Sequence, residues 1–510
     1  MTRRDHTTDT SDGFFSSTTT ARPDVVAAVN RACGHCPPPL ASPDPQHFEN
    51  PWHPLWYEAL RDQALPALIA DGTITPAASL WTGARLWCDA FRSGGLAAGD
   101  RVVIAMPPSA AFLQVLVAAV WEGLTIALVS PSSNVPALLE TLDACAAVAD
   151  RKHPNVWRPE GFAGPLSTPQ RLRDTSAPPA PTVRFLLRTS GTTGPARWVA
   201  LSDRNVLSVL ASHLPHLRLG NARVISVLPW WHAFGLVLDL LPALLSGAEV
   251  IRDPEHGRDP ASILRLSHTW GATHLNAVPL TVQRLLAHRN GSAFLEHLSG
   301  GIVGGAPIAA PLAEALEATQ LRVGYGQTEA APGIALGERG DWAANYLGRP
   351  LGCDVAISDD GELLFQGPNA CVGFWADGAL RTADPNRTVA TGDRARRTDA
   401  GLFFEGRTDH SFKLSNGRFV EASRWEARLK DHFSGLHDAL LYRPGGGRLS
   451  LALCTDEDDA PSADAVRDYI GGLQKHIERI HIVSPDDWVQ SPKGDVARDA
   501  MTRKLLQTAS

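Results

Sequence analysis

Between Val183 and Val206 the chain reads VRFLLRTSGTTGPARWVALSDRNV, and four hydroxyl side chains and two glycines fall within the six residues Thr189, Ser190, Gly191, Thr192, Thr193 and Gly194. A loop of that composition can turn its backbone amides and hydroxyls toward one anion. Glycine lets the backbone approach a phosphate closely, and Ser and Thr add donors without bulk. The chemistry it suits is the holding of a polyphosphate. It is not a Walker loop, because Gly194 is followed by Pro195, Ala196 and Arg197 where that motif needs Lys and then Ser or Thr. Taken alone, the same cluster also reads as an ordinary Ser/Thr/Gly connection.

Something must carry this loop. VRFLLR is a β-run that stops at it, WVALS is a second short run after it, and Ser202 or Asp203 can cap the helix that follows. Short β-branched runs alternate with helix-length segments on both sides: RVVIAM at 101, an apolar helical stretch from Ala110 to Trp121, TIALVS at 125, ARVISVLP at 222, AEVIR at 248, THLNAVP at 273, GGIVGG at 300 and LRVGYG at 321. That rhythm predicts mainly parallel, buried sheet with helices, in one large α/β body. After Gly326, DVAISDDGELLFQG with its Asp360-Gly361 turn, and then RRTDAGLFFEGRTD, predict a β-rich subdomain. The fold class expected is therefore α/β. A large N-terminal domain over 25–408 combines parallel sheets and the β-rich subdomain, and a small mobile α+β C-terminal domain covers 409–510. Residues 1–24, polar and Ser/Thr-rich, read as a disordered leader.

The 510 residues suffice for roughly three domain-sized units. Forty-seven Lys and Arg against 54 Asp and Glu leave a net charge of −7, which excludes the basic footprint that nucleic acid or an anionic membrane needs. No apolar run reaches the roughly 18 to 20 residues that span a bilayer, and the N-terminus lacks a secretory signal, so a cytoplasmic location is expected. The seven cysteines are scattered and odd in number, which predicts free thiols. Cys33-Gly34-His35-Cys36 precedes a proline run and has no second C-x-x-C, so it reads as incidental rather than as a redox or zinc pair. Lysine occurs only at 152, 413, 430, 475, 493 and 504, so a lysine at a motif position carries more weight than usual.

TSGTTGPAR resembles the phosphate-binding loop of the adenylate-forming superfamily, which comprises acyl- and aryl-CoA synthetases, nonribosomal-peptide adenylation domains and luciferases. Arg197 keeps the charge of that pattern's lysine, whereas Trp198 is bulky where the pattern has glycine. Further segments fall in the family's order. Leu228-Pro229-Trp230-Trp231-His232-Ala233-Phe234-Gly235 is similar to the segment that lines the carboxylate-substrate pocket. Gly304-Gly305-Ala306-Pro307 resembles the adenine-side turn, and Tyr325-Gly326-Gln327-Thr328-Glu329 matches the Y-G-x-T-E signature. Thr391-Gly392-Asp393 matches the ribose-binding T-G-D, Gly406-Arg407-Thr408-Asp409 the hinge, and Lys413-Leu414-Ser415-Asn416-Gly417 the K-x-x-G of the C-terminal domain. The resemblance spans roughly residues 50 to 506. It implies that Thr328 donates to the α-phosphate, Glu329 holds Mg²⁺, Asp393 accepts the ribose hydroxyls, Arg407 supports ribose and phosphate, and His232 faces the acid. His232 by itself also reads as a packed core histidine.

The implied reaction is ATP-dependent conversion of a carboxylic acid to acyl-AMP with loss of pyrophosphate, followed by transfer to CoA or to a carrier-protein thiol. An α-amino acid is disfavoured, since Trp230 to Phe234 offers no carboxylate for its ammonium group; an aryl or aliphatic acid is expected. The C-terminal tail departs from the family. Ser491-Pro492-Lys493-Gly494-Asp495 aligns with T-P-x-G-K and puts Asp495 where the catalytic lysine belongs. A carboxylate about 4 Å from the reacting anions is repelled by roughly 4 kcal/mol at an effective dielectric of 20. Two readings stand: Lys493 takes over the missing lysine's work, or the first step runs without one. The divergent tail also keeps open β-lactone formation, diazotisation, and a nucleotide- or adenylate-binding protein with little catalysis.

Overall fold

The computed structural model describes residues 25–34, 50–60, 66–149, 156–157, 183–189, 197–408, 411–414, 419–444, 447–490 and 496–508. The reading of residues 1–24 as a leader lies outside them.

The strands predicted at 101 and 125, with Ala146–Ala149 and Phe185–Arg188, run parallel in an eight-stranded sheet. Apart from Arg101 and Arg188 their residues are buried, on both faces, which is why they read as continuous apolar runs rather than alternating ones. The helix Ala110–Trp121 follows the first of them and starts where Ser109 accepts the Phe112 amide at 3.2 Å. At Arg188 the chain turns back on itself: Trp198–Leu201 pairs antiparallel with Phe185–Arg188, with Trp198 opposite Arg188. Trp198 is buried, and across its other edge it faces Trp375 of Gly373–Ala376. The bulk that departs from the family pattern is thus core packing.

Ser202 then caps the helix Asp203–Leu217 through a capping box with Asn205. Beneath that junction Arg184 makes two bonds to the Asp203 carboxylate, at 2.7 and 2.9 Å, and Trp52 Nε1 donates to the same carboxylate at 2.6 Å. The strand that enters the phosphate loop and the helix that leaves it are therefore locked by one buried ion pair.

The remaining parallel strands lie in two further sheets of the large N-terminal part, in keeping with the several parallel sheets expected there. Arg223–Ser226, Glu249–Arg252, His274–Asn276 and Pro66–Ala70 form a second, five-stranded sheet edged by Thr73–Pro76. Ile302–Gly304 and Arg322–Tyr325 pair in parallel at one end of a third, which continues antiparallel through the β-rich segment to Asp354–Ile357. Gly361, with φ of +80°, closes the Asp360-Gly361 hairpin turn.

Beyond residue 410, Asp438–Tyr442, Leu449–Cys454 and Ile477–Val483 form a three-stranded sheet under the helices Ala422–His432, Ala463–Ile470 and Arg498–Thr508. Among the described residues, the hydrophobic cores of this part contain none before Phe412, and those of the larger part none after Phe404. No helix among the described residues is long and apolar enough to cross a membrane.

Candidate functional site

The strand Arg322–Tyr325 delivers the signature Tyr325 to Glu329 at its carboxyl end. The chain then makes one tight turn, Thr328–Ala330, in which the Ala330 and Ala331 amides donate to the carbonyls of Gln327 and Thr328. Gly326 has to be glycine: a Cβ there would lie 1.4 Å from the Pro332 carbonyl oxygen of the returning chain. Tyr325 to Glu329 are each half-buried, on the rim rather than in the core.

Residues 68 positions apart meet here. Tyr325 Oη donates to one oxygen of Asp393 at 2.6 Å, and Arg407 Nη1 donates to the other at 2.8 Å. Asp393 is only 9% exposed and sits on Val389–Thr398, next to Gly401–Arg407, where it is the register partner of Arg407. The T-G-D turn is shaped for this contact. Thr391 Oγ1 donates to the Leu363 carbonyl, the Gly392 amide donates to Glu362 at 2.8 Å, and a Cβ on Gly392 would come within 2.9 Å of the Arg407 guanidinium. Each Asp393 oxygen has a second lone pair, so the carboxylate can hold two further donors, as a pair of ribose hydroxyls would supply. Burial first, then the neighbouring Asp393 charge, pushes the Tyr325 hydroxyl well above its ordinary pKa, so it remains a donor.

Glu329 is held above the usual carboxylate range chiefly by burial, against the opposing pull of Arg197 and Arg407. The field of both arginines therefore reaches it, one from the phosphate loop and one from the hinge. Its backbone carbonyl accepts the Cys371 amide, which ties the turn to the first sheet. A carboxylate is a hard oxygen donor of the kind Mg²⁺ takes, one or two from the protein, with phosphate and water completing its shell. Gly304, opposite Gly324 in register, brings Gly305, Ala306 and Pro307 beside Tyr325; the φ of +88° at Gly305 is one that glycine adopts readily.

The phosphate loop itself is described only at its stem. Thr189 donates through its amide to the Arg197 carbonyl at 3.0 Å, and Arg197 is exposed. Ser190, Gly191, Thr192, Thr193 and Gly194 lie outside the described residues, as do Lys493 and Asp495. The base of the tail loop is described: Gln490 bridges Val496, and Arg498 is clamped by two 2.8 Å bonds to the buried Glu426. Lys413 ends the strand Ser411–Lys413, opposite Phe419.

His232 is exposed, at the head of the π-helix Phe234–Leu240, and is not the packed core histidine that it resembles in isolation. Its neighbour Trp230 is fully buried and donates to Ser226 Oγ at 2.9 Å. Ser226 Oγ donates in turn to Asp239 at 2.5 Å; Asp239 also accepts from Asn276, whose own side-chain oxygen accepts the Ile302 amide. Burial drives the Asp239 carboxyl up to about 6. Sequence reading missed this network, which spans three separated strands and a π-helix with no pattern of its own.

Residues 57–375, more than half of the chain, match the sequence model of the AMP-binding enzyme family. The chain belongs to the AMP-binding enzyme family. Within it, the chain is similar to the feruloyl-CoA synthase of Amycolatopsis sp, at 30% identity over 56% of this chain and 63% of that protein. The match thus spans less than two thirds of that relative's length. The phenyloxazoline synthase MbtB of Mycobacterium tuberculosis is 28% identical over 82% of this chain and 32% of its own length. ATP-bound MatB from Rhodopseudomonas palustris shares the fold, with a TM-score of 0.73 at 21% identity, over 89% of this chain and 99% of that one. The likeness to MatB therefore takes in both the larger part and the smaller C-terminal one.

Proposed function

We propose that this member of the AMP-binding family activates a carboxylic acid with ATP. A carboxylate oxygen attacks the α-phosphorus, the bond from the α-phosphorus to the bridging oxygen breaks, and pyrophosphate leaves. A thiol sulfur, of CoA or of a carrier protein, then attacks the acyl carbon, loses its proton, and AMP departs. The observation that carries this reading is the convergence of Tyr325, Asp393 and Arg407 beside Glu329, built from segments of the family pattern that are far apart in sequence.

In this scheme Asp393 fixes the ribose and Arg407 offsets phosphate charge. Thr328 donates to the α-phosphate, while Arg197 and the loop from Thr189 to Gly194 take the outer phosphates. Glu329 would hold Mg²⁺, which when bound spreads the negative charge of the phosphates. His232 and Trp231 face the acid, Lys413 and Lys493 act from a C-terminal domain that begins near Asp409, and N-terminal residues 25–408 hold the nucleotide. The names of the similar proteins, which include a CoA synthase and an ATP-bound structure, support these substrates. A cytoplasmic setting belongs to the same proposal and is supported by the free thiols among the described cysteines.

The test is AMP and pyrophosphate release by the full chain across aryl and aliphatic acids, with and without CoA, with products identified by mass. Acyl-CoA formed from one acid class supports the ligase. ATP binding without AMP from any acid, and without product from hydroxy acids or aryl amines with nitrite, would leave the binding-protein reading.

A further inference from the structure

The loop after Glu249–Arg252 holds a histidine in an uncommon conformation. His256 has φ of +53° and Gly257 has φ of +77°; the left-handed region is readily occupied by glycine, and only a few per cent of other residues enter it. The surroundings hold the conformation in place. The fully buried Asp253 accepts the Gly257 amide at 2.6 Å and the Ser262 hydroxyl at 2.8 Å, and its carbonyl accepts the His256 amide. A Cβ on Gly257 would come within 2.9 Å of Thr281 Oγ1, so the loop is packed from below as well.

Arg252 then sets the ring's protonation. It is buried, and Nη1 donates to the carbonyls of Ser226 and Leu228, at 2.8 Å each, while Nη2 donates to His256 Nδ1. A guanidinium has no acceptor, so Nδ1 must be the unprotonated nitrogen and the proton of the neutral ring sits on Nε2. Burial, then Arg252 and Arg258, lower the His256 pKa, which favours the neutral ring. With Nδ1 taken by Arg252, Nε2–H is the remaining donor of the ring.

The ring stands beside the acid-facing segment. The Trp231 ring neighbours two imidazoles, with centroids 6.4 Å from His256 and 6.2 Å from His232. Behind it, the same arginine sits 5.4 Å over the Trp230 ring and bonds Ser226, the residue that also holds Trp230 and the π-helix. One guanidinium therefore contacts both His256 and the buried Trp230, the residue that precedes Trp231 in the chain. An aromatic wall with one oriented neutral N–H at its edge fits a planar ligand that carries a hydrogen-bond acceptor on its rim.

Resting on the acid-activating reading, we propose that His256 is a specificity-determining residue and that the acid is an aryl acid with a ring hydroxyl, whose oxygen accepts from His256 Nε2. Its backbone conformation dictates the variants. Glycine and asparagine both tolerate the left-handed region, so His256→Gly removes the donor while keeping the loop, and His256→Asn restores an N–H on a shorter arm.

The experiment measures kcat/KM for pyrophosphate release by the full chain on matched pairs: benzoate against its hydroxylated forms, and cinnamate against 4-hydroxycinnamate. The wild type is expected to favour at least one hydroxylated acid by about tenfold or more over its unsubstituted partner. His256→Gly should lower that ratio about tenfold while changing the unsubstituted acid little, and His256→Asn should recover part of it. A ratio that His256→Gly leaves unchanged, or a wild type that prefers the unsubstituted acids, overturns the assignment while leaving the ligase standing. A wild type that activates no acid overturns both.

Discussion

Replacing Asp393 by Asn tests the nucleotide site at its best-connected point. The side chain accepts one hydroxyl bond from Tyr325 and one charge-assisted bond from Arg407, with 12% of the Asp393 side chain and 30% of the Arg407 side chain exposed. An amide keeps the volume but has one acceptor oxygen instead of two, and its NH₂ turns toward a donor. At least one of the two internal bonds is lost, and with it the anionic oxygens offered to the ribose. If each ribose hydroxyl contributes about 1 kcal/mol net, two lost bonds amount to about 2 kcal/mol, or roughly thirtyfold in the ATP dissociation constant. Calorimetric titration of ATP into the variant reads this directly, and a thermal melt without nucleotide separates it from unfolding. An affinity within about twofold of wild type in a normally melting variant would refute the ribose assignment, whatever happened to turnover.

Four further outcomes are expected. Asp203→Ala strands the buried Arg184 guanidinium and should lower unfolding free energy by about 3 to 5 kcal/mol, seen as a shifted denaturant midpoint; an unchanged midpoint would mean that the pair is dispensable. Gly326→Ala should abolish ATP binding, because the Pro332 carbonyl leaves no room, whereas Gly220→Ala, with open space around it, should bind normally. Burial lowers His213 from 6.5 to about 4, so the unfolded chain takes up its proton first as pH falls. The stability it contributes is complete above pH 6.5 and is lost toward pH 4, about 3 kcal/mol in all. His213→Phe should flatten that acid slope by about one proton in denaturant titrations across this range. Lys493→Ala should slow acyl-AMP formation far more than thiolysis of a supplied adenylate in single-turnover assays, and equal slowing of both would remove Lys493 from the first step.

The element order and the nucleotide motifs were legible in the linear chain for local reasons. Buried parallel strands must be continuously apolar, which is why 101–105 and 125–128 stand out. Turns that approach a phosphate or pass over another chain require glycine, which is why Gly326 and Gly392 fall inside short recognisable strings. Ser202 announces its helix because capping needs only the next three residues.

Partnership between distant segments was not legible. Tyr325 meets Asp393 because strands far apart in the chain join one sheet, Glu329 feels both Arg197 and Arg407 because a second sheet comes close to it, and no local spacing encodes a contact across 68 residues. The division of the parallel strands between sheets is equally non-local, since an apolar strand pairs equally well with several neighbours until helices and loops choose among them. Trp198 looked like a break in the phosphate-loop pattern until Trp375 appeared across the sheet from it. His256 carried a faint signal, a His-Gly pair between two strand-helix units, but its tautomer depends on where the Arg252 guanidinium points. Sequence alone specified which chemistries the chain can bring to bear, because those depend on residue type and local turn geometry; tertiary structure alone decided which groups meet, because burial and hydrogen-bond orientation arise only when distant strands pack.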